Sequence, residues 1–567
     1  MSRKIVVIGG VAGGASAAAR VRRLDEQAEI IIFEKGPHVS FSNCALPYFL
    51  SKTIQKAENL VLLTPNDFKK QYNILAKTSH EVLAIDHEKK EVTVLDQQQQ
   101  VTFTENYDEL ILSPGAKPIR PEAIQGSNGE NVFTVRNVGD IQALDRYLFE
   151  SQAKRVTVVG GGFVGLEIAE NLVEAGFQIT IVESQAHLLK NLDEDFAQLV
   201  HKQIVDHKIS LVLDTTVTKI TNETIELTNG KTFASDVVVL AVGVAPEVDL
   251  AKRAGITLGS TGAIKVNQHF QTNLDHVYAI GDAIEVTEAF THKKIRQNLA
   301  FAAQIQARKV VDHLYGRKIN TKAAIGSQVL RIFDLNVAST GLTEAYALAN
   351  GIDARSVTVI PKDKVPLFAN ARPLHLKLVF SYPEGKILGA QALGESQVDK
   401  QINIIATAIR YGGSIEDLED LELCYQPLFS TAKNAVNTVA LVANNILNGE
   451  FQQVPVTKVR ELVTSGAFIL DVREENEFAE GHIVNAYNIP LTQFRERLTE
   501  LPTNQPIYVH CLSSQRSYYV VRALNQLGFK AVYNIVGSFL GLSEYEYYHD
   551  SSQERRPIVT NYRFDLL

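Results

Sequence analysis

The sequence predicts an α/β protein organised around two copies of a strand–helix–strand unit. The first copy, "RKIVVIGGVAGGASAAARVRR…AEIIIFEK", starts at Arg3, and the second, "KRVTVVGGGFVGLEIAENLVEAG…QITIVES", starts at Lys154. Each copy reads as an apolar strand, a Gly-rich turn, a helix and a second strand that ends in or next to a glutamate. The chain has 567 residues, enough for three or four domains, so other domains accompany these two units.

Composition and charge restrict the classes of partner. Apolar residues make up 45% and charged residues 21% of the chain, and the net charge is −8 without a basic cluster. This balance is that of a globular protein and gives no reason to expect nucleic acid or anionic lipid as a partner. Three cysteines are too few for a disulfide framework and suit a reducing cytosol, so we expect a cytoplasmic protein. We expect no metal site.

The first 20 residues also have features of a signal peptide, with a basic start, an apolar run and small residues after it. Glycines interrupt this run, and the same pattern returns deep inside the chain, which favours a nucleotide-binding turn instead. Elsewhere no stretch of roughly 18 apolar residues occurs, so we expect no membrane span.

The glycines of the two turns have the spacing of Rossmann dinucleotide-binding units. In such a turn the first glycine permits the sharp bend, the second lets the backbone approach a pyrophosphate, and the third lets helix and strand pack closely. The second copy has all three glycines, and the first has two of them with Val11 in the middle position: Gly160, Gly162 and Gly165, and Gly9 and Gly14. One such turn is common structural punctuation, but two copies with matching acids predict two nucleotide sites.

The acids that end the second strands, Glu34 and Glu183, are placed to accept hydrogen bonds from ribose hydroxyls. A glutamate at position 183 would repel a 2′-phosphate, which favours NADH over NADPH at the second site.

Three further segments resemble those of the two-dinucleotide flavoprotein reductases. "ELILSPGAKP" (109–118) and "VVLAVGVAPEVDL" (238–250) resemble the chain crossovers of that family, and "VYAIGDAIEV" (277–286) resembles its flavin segment. The resemblance implies that Asp282 holds the ribityl chain of FAD. It also implies an FAD-binding domain of residues 1–117 and 248–320, an NADH-binding domain of 118–247 and an α+β dimerisation domain of 321–447.

The lone cysteine in "SFSNCALPY", Cys44, resembles that of the single-cysteine branch, which includes coenzyme A-disulfide reductase, persulfide reductases and NADH oxidases. The resemblance implies that Cys44 lies against the flavin and that its redox partner is a sulfur of the substrate, as in a mixed disulfide with CoA. NADH would reduce FAD, and FAD would reduce that bond. We expect a nearby helix N-terminus or the flavin to lower the pKa of Cys44.

Five residues near Cys44 match, by position, residues that bind CoA in coenzyme A-disulfide reductase: Ser16, Arg20, Arg23, Ser40 and Asn43. Arg20 and Arg23 are three apart on one helix and suit the phosphates of CoA, although both are equally compatible with a solvated helix surface.

Other positions of the resemblance affect the choice of substrate. Ala12 stands where the NADH oxidases and peroxidases have a histidine, so the oxidase interpretation lacks its acid–base group. Tyr425, in "DLELCYQPLFSTAKNAVN", matches an acid that the partner subunit of a homodimer supplies, or it is an ordinary interface residue; Cys424 beside it looks structural. Leu367 and Phe368 replace a usual tyrosine pair, which suggests an altered substrate.

The last part of the chain resembles a rhodanese domain of α/β class over residues 455–567. Cys511 ends an apolar strand, and its loop "CLSSQR" leads into a helix, an arrangement that stabilises an anion or persulfide on the cysteine. Arg516 has the spacing of sulfur-transfer members. Asp471 and Arg473 look structural. Ser538 and Leu542 depart from the usual Gly-Gly-aromatic-x-x-Trp ending, so a docking module without turnover is the alternative.

Together these features predict an FAD-dependent reductase that uses NADH to reduce CoA persulfide, polysulfide or CoA disulfide through a mixed disulfide at Cys44, with Cys511 handling sulfane sulfur. The alternatives are a plain CoA-disulfide reductase with an accessory rhodanese, an NADH oxidase, and a sulfur-carrier or redox-sensing module.

Overall fold

The computed structural model describes residues 2–564 and contains two compact units. The first unit comprises the residues up to Ser184 together with Thr215–Ala324, and the second comprises Gln185–Asp214 and the residues from Ile325 onward. Helices and strands occur throughout the described chain, and three of its sheets are built from parallel strands, which confirms the predicted α/β class.

The helices and strands have the following bounds. The helices are α1 (Ala12–Leu24), α2 (Pro65–Tyr72), α3 (Val138–Glu150), α4 (Phe163–Glu174), α5 (Glu194–Asp206), α6 (Asp249–Arg253), α7 (Ala300–Leu314), α8 (Glu344–Ala349), α9 (Val398–Tyr411), α10 (Ile415–Glu419), α11 (Ala435–Leu447), α12 (Val459–Thr464), α13 (Glu475–Glu480), α14 (Gln515–Gln526) and α15 (Ser538–Gln553). The strands are β1 (Lys4–Ile8), β2 (Glu29–Glu34), β3 (Leu75–Thr78), β4 (His80–Asp86), β5 (Glu91–Asp96), β6 (Val101–Asn106), β7 (Glu109–Leu112), β8 (Ala116–Pro118), β9 (Val132–Phe133), β10 (Arg155–Val159), β11 (Gln178–Val182), β12 (Ser210–Val212), β13 (Val217–Ile220), β14 (Thr224–Leu227), β15 (Thr232–Ala234), β16 (Val237–Leu240), β17 (Val244–Pro246), β18 (Val277–Ala279), β19 (Glu285–Thr287), β20 (Lys294–Arg296), β21 (Gln328–Ile332), β22 (Leu335–Gly341), β23 (Ala354–Val359), β24 (Leu374–Ser381), β25 (Ile387–Gly394), β26 (Gln452–Val454), β27 (Phe468–Asp471), β28 (Tyr487–Asn488), β29 (Ile507–His510) and β30 (Val532–Ile535).

The first βαβ unit of the sequence lies in a five-stranded parallel sheet with the order β18-β7-β1-β2-β3. The central strand β1 is almost continuously apolar because both of its faces are covered, as is usual for parallel sheets. Helix α1 packs along α7. The glycine turn follows the last residue of β1 directly, so it lies at the carboxyl edge of the sheet, where open α/β sheets bind ligands.

The second βαβ unit belongs to a separate parallel sheet of the same unit, in which β11, β10, β16 and β9 are neighbours. The strands that follow β7 and β16 along the chain, β8 and β17, form a short antiparallel pair. These two strands lie in or next to the two segments that the sequence predicts as chain crossovers.

The second unit contains a five-stranded antiparallel sheet, β21-β22-β25-β24-β23, and a five-stranded parallel sheet, β26-β30-β29-β27-β28. The first sheet packs against α9, and the second carries α14 directly after the cysteine loop. No helix within residues 2–564 combines the length and apolar character needed to cross a bilayer.

Helix α5 is part of this second unit, although the sequence assigns it to the NADH-binding domain. It packs against α15, and the ring centroids of His201 and Tyr548 are 4.8 Å apart. The predicted domain boundaries themselves stay predictions.

Candidate active site

The glycine turn between β1 and α1 is possible only because its glycines lack side chains. Gly9 has φ of +93°, and a Cβ there would overlap the Ser113 carbonyl. A Cβ on Gly14 would overlap the carbonyl oxygen of Gly9 itself. Helix α1 then begins without a side-chain cap, so its first N–H groups are available to an anion in front of it.

Glu34 ends β2 beside this turn. Its two carboxylate oxygens accept hydrogen bonds from Gly10 N (2.9 Å) and Gly36 N (2.8 Å), which fix the side chain at the mouth of the turn. Burial raises the pKa of Glu34, although the two N–H groups oppose that effect. The carboxylate keeps further lone pairs, and Glu34 lines the adjoining cavity, as a ribose-binding acid should.

A cavity of about 570 Å³ adjoins the turn and unites several of the predicted site residues. Its volume is within the range of ligand pockets in proteins. The predicted site residues that line it come from three separate parts of the first unit: Ser16, Glu34, Ser40, Asn43, Cys44 and Asp282. Ala12 lines the same cavity, at the position where the oxidases have a histidine.

Cys44 lies in a single 3₁₀ turn, Asn43–Ala45, and its side chain is exposed at the cavity wall. The pKa of its thiol is raised above the ordinary value, first by withdrawal from water and then by the charge of Glu167. Arg136 lowers that pKa, but Asp282 acts against it. The residues around Cys44 therefore do not lower its pKa by themselves, since withdrawal from water and the two carboxylates outweigh the one guanidinium. That a helix N-terminus or the flavin lowers this pKa stays a prediction.

Two residues that affect the pKa of Cys44 escaped the sequence analysis, Arg136 of the cavity wall and Glu167 of α4. Arg136 donates from Nη2 to Asp282 Oδ2 (2.8 Å), and its carbonyl accepts a hydrogen bond from Asn43 Nδ2 (3.3 Å). Glu167, on α4, has a pKa raised to about 7 by burial and by the charge of Glu170. The only sequence signal for either residue was its position next to a motif. Arg136 directly precedes the N-cap residue of α3, and Glu167 follows the second glycine turn.

The second glycine turn repeats the geometry of the first. Gly160 has φ of +112°, and a Cβ on Gly165 would overlap the carbonyl oxygen of Gly160. A Cβ on Gly162 would meet nothing within 4 Å, so its backbone faces open space. Glu183 Oε2 accepts a hydrogen bond from Gly161 N (2.6 Å), as Glu34 does in the first copy. The turn thus fits the pyrophosphate and ribose of a second nucleotide.

The five residues predicted to bind CoA divide into two sets. Ser16, Ser40 and Asn43 line the cavity that contains Cys44. Arg20 is buried and donates to Asp312 of α7 from both Nε (2.9 Å) and Nη2, whereas Arg23 is exposed and lies outside the cavity lining. Arg20 therefore joins α1 to α7 through an ion pair. Its role in CoA binding stays a prediction, as does that of Arg23.

Tyr425 and Cys424 belong to the second unit, where both are exposed and line a surface cavity of about 470 Å³. The exposed phenol of Tyr425 is accessible, as a residue that acts across a subunit interface must be. Leu367 and Phe368, which replace the tyrosine pair, lie between β23 and β24; Leu367 is 88% exposed and Phe368 is half-buried.

The third cysteine, Cys511, follows β29 directly and is 1% exposed. Its sulfur has two hydroxyl neighbours, Ser517 Oγ at 3.6 Å and Ser538 Oγ at 3.9 Å. Arg516 forms a two-pronged pair with Glu477, with N–O distances of 2.6 and 2.7 Å. The Glu477 hydrogen bonds, with a smaller effect of Cys511, raise the pKa of Arg516.

Asp471 and Arg473 are completely buried and pair with each other, with Arg473 Nη2 2.7 Å from Asp471 Oδ2. This arrangement supports the structural role that the sequence suggests for them.

Comparison with known families identifies three regions. Residues 3–306 match the model of the pyridine nucleotide-disulphide oxidoreductases, residues 328–436 match the dimerisation domain of the same family, and residues 456–544 match the rhodanese-like domain. These matches confirm the family, its dimerisation domain and the C-terminal rhodanese domain, whereas the division of the first region into FAD- and NADH-binding domains stays a prediction.

Individual relatives agree with these matches. The coenzyme A disulfide reductase of Staphylococcus epidermidis is 33% identical over 441 residues, which cover 78% of this chain and 99% of that enzyme. The crystal structure of reduced Bacillus anthracis CoADR-RHD has a TM-score of 0.93 and 40% identity, and it covers 96% of this chain and 98% of its own. An NAD-dependent persulfide reductase from A. fulgidus has a TM-score of 0.90 and 32% identity, with coverage of 94% and 99%.

Proposed function

Because this chain belongs to the pyridine nucleotide-disulphide oxidoreductase family, we propose that it uses NADH to reduce sulfur–sulfur bonds of CoA-linked substrates at Cys44. We favour CoA persulfide or polysulfide as the substrate, with Cys511 of the rhodanese domain supplying the sulfane sulfur. The observation that carries the proposal is the position of Cys44, which shares one cavity with the first glycine turn and Asp282.

The family implies FAD and NAD(P)H, and the residues present fit both groups. The two turns are closed to any side chain at Gly14 and Gly165, and each has a glutamate bonded to its backbone. We assign the first turn with Glu34 and Asp282 to FAD, and the second with Glu183 to NADH. When bound, FAD relays two electrons from NADH to a sulfur–sulfur bond at Cys44.

Cys44 performs the exchange that prepares this bond. Its thiolate attacks the CoA-bound sulfur of CoA–S–SH, forms the mixed disulfide Cys44–S–S–CoA and releases HS⁻. Two electrons and one proton then return Cys44 as thiolate and release CoA–SH. The balanced reaction is CoA–S–SH + NADH + H⁺ → CoA–SH + H₂S + NAD⁺. Glu167, whose pKa lies at about 7 and whose charge affects the thiol of Cys44, is suited to hold and return a proton near that thiol.

Cys511 carries sulfur without net oxidation. Its thiolate attacks a sulfane sulfur of a polysulfide, becomes a persulfide and releases the shortened chain as its thiolate. The thiolate of CoA then attacks the outer sulfur, which gives CoA persulfide and frees Cys511. Two hydroxyls within 4 Å of the Cys511 sulfur support this role, because they are donors to a charged sulfur.

The homodimer and the CoA contacts belong to the same proposal. The dimerisation domain and the exposed Tyr425 support a second subunit that supplies Tyr425 as an acid to a leaving thiolate. Ser16, Ser40 and Asn43 are the CoA-binding residues best supported by position, since all three lie in the cavity of Cys44.

A second candidate is a plain CoA-disulfide reductase with an uncoupled rhodanese domain. The S. epidermidis enzyme aligns over 99% of its length with only 78% of this chain, so the coenzyme A disulfide reductase of that organism has no comparable C-terminal extension. Here Cys44 would attack CoA–S–S–CoA and release CoA–S⁻, and the same mixed disulfide would follow.

The test is anaerobic NADH oxidation, with sulfide assayed, on CoA persulfide, polysulfide and CoA disulfide. Wild type is compared with Cys44→Ser, Cys511→Ser and, as a matched control, Cys424→Ser. We expect Cys44→Ser to abolish all three activities and Cys511→Ser to lose only polysulfide reduction. Fast turnover on CoA disulfide alone, unchanged in Cys511→Ser, would establish the second candidate. Full persulfide turnover in Cys44→Ser would refute the mechanism.

A further inference from the structure

Ser538 is one of two serines of the cysteine site, with Ser514 (φ of +77°), whose backbone conformation is unfavourable for the residue type. It is the first residue of α15 and has φ of +52°, next to Gly537 with φ of +73°. A residue with a Cβ adopts this left-handed conformation reluctantly, whereas glycine adopts it freely. Strain of this kind persists where the surroundings enforce it, and it is found preferentially at functional sites.

The side chain of Ser538 supplies a reason for the strain. It is fully buried, and its hydroxyl oxygen accepts a hydrogen bond from the backbone N–H of Cys511 (3.2 Å). The same oxygen is 3.9 Å from the Cys511 sulfur. The backbone next to it is bonded to the cysteine loop as well, because Phe539 N donates to the Cys511 carbonyl (3.1 Å).

The hydroxyl proton of Ser538 has a choice of acceptors. It can point to the Ile535 carbonyl (3.3 Å), to Ser514 Oγ (3.2 Å) or to the Cys511 sulfur. Ser517 has a similar choice between the Ser514 carbonyl (3.1 Å) and the same sulfur (3.6 Å). Rotating an O–H bond moves no heavy atom, so both hydroxyls can turn to the sulfur once it carries charge.

We propose that Ser538 is a sulfur-stabilising residue of the Cys511 site, which donates its O–H to the anionic sulfur of the thiolate or persulfide while its oxygen holds the Cys511 N–H. This inference deepens the proposed sulfur-carrier role of Cys511 and rests on it for its biological meaning. The hydrogen bond itself can be tested without any sulfur substrate.

The experiment uses the full chain with Cys44→Ser and Cys424→Ser, so that Cys511 is the remaining cysteine. Ser538→Gly removes the hydroxyl and relieves the backbone, and Ser543→Ala is the control, because Ser543 is a fully buried serine of the same helix. The rate of iodoacetamide alkylation is measured across pH, thermal unfolding is followed in parallel, and the lifetime of the Cys511 persulfide formed from polysulfide is measured by mass spectrometry.

We expect Ser538→Gly to unfold at an unchanged or higher temperature but to be alkylated roughly ten-fold more slowly near neutral pH, with its pH profile moved upward, as loss of a hydrogen bond to a charged group requires. Its persulfide should decay faster, and Ser543→Ala should match the parent in alkylation and persulfide lifetime. An alkylation profile equal to the parent's would overturn the proposal, even if persulfide still forms. Absence of any persulfide in the parent chain would instead refute the proposed role of Cys511, whatever the alkylation shows.

Discussion

Removing the charge of Asp471 should destabilise the rhodanese domain strongly, because it leaves the buried guanidinium of Arg473 without its counter-ion. Asp471 and Arg473 are both 0% exposed, and the guanidinium makes contacts of 2.7 to 3.1 Å with the two carboxylate oxygens. Burial alone would raise the pKa of Asp471, but His510 and Arg473 outweigh it and hold that pKa below its usual range. The carboxyl is therefore ionised at neutral pH and compensates Arg473.

The magnitude follows from the burial of the pair. Removing one partner of a buried ion pair costs about 3–5 kcal/mol. With a urea m-value of about 2 kcal/mol/M for a domain of this size, Asp471→Asn should lower the unfolding midpoint by about 2 M. The double variant Asp471→Asn, Arg473→Met should recover most of this loss, since it no longer buries an uncompensated charge.

Pulse proteolysis in urea measures this midpoint, because it follows cleavage of the C-terminal domain in the intact chain. Glu500→Gln is the control, since the pair of Glu500 with Arg497 lies on the surface of the same domain and its loss should leave the midpoint in place. An Asp471→Asn midpoint within about 0.5 M of wild type, or a double variant no more stable than the single one, would refute this reasoning.

Three further predictions concern the nucleotide turns, Cys44 and the second unit. Gly165→Ala should destabilise the chain, because a Cβ there overlaps the Gly160 carbonyl, whereas Gly162→Ala should fold normally and only raise the KM for NADH. Thermal unfolding measures the first effect and initial rates measure the second. Equal stabilities of the two variants would contradict the geometry. Glu167→Gln should lower the pKa of Cys44 and speed its alkylation above pH about 7, where Glu167 is ionised. Arg136→Met should raise that pKa and slow the alkylation. Unchanged pH profiles of alkylation would show that neither charge acts on the thiol. His201 has a pKa lowered from 6.5 to about 3, chiefly by burial, so between these values the unfolded chain binds a proton that the folded chain does not. The stability that the neutral His201 contributes is fully present above pH 6.5 and is lost as the pH falls toward 3. The urea midpoint should therefore fall less steeply between about pH 7 and pH 5 in His201→Gln than in wild type.

The parts of the site that the sequence predicted are those encoded by local pattern. The glycines of both turns and the acids after them repeat at fixed spacing, and the apolar strands before them leave few alternatives for the backbone. Cys44 and Cys511 were identified as site residues because each follows a recognisable segment and the chain has so few cysteines. Local pattern sufficed for these because the chemistry needs neighbours that are close in the sequence.

The remaining features depend on partners far away along the chain. Arg20 looked available for phosphate because its helix spacing is right, but Asp312, almost 300 residues later, binds it. The effect of Glu167 on the pKa of Cys44 likewise joins two glycine-turn regions that the sequence separates. Ser538 appeared as a departure from a motif, and only its φ angle and its contact with Cys511 suggest a use for it.

The packing of α15 on α5 makes the fusion difficult to take apart. His201 of α5 is fully buried, with its ring beside Tyr548, and Tyr545 donates a hydrogen bond to Glu194 (2.9 Å). A chain shortened before residue 455 would lose these rhodanese side chains and uncover a histidine that the whole protein keeps from water. A rhodanese domain transplanted from a relative would fit only if α5 were exchanged with it. Exchange of domains at the apparent linker would therefore be a poor route to new variants of this enzyme.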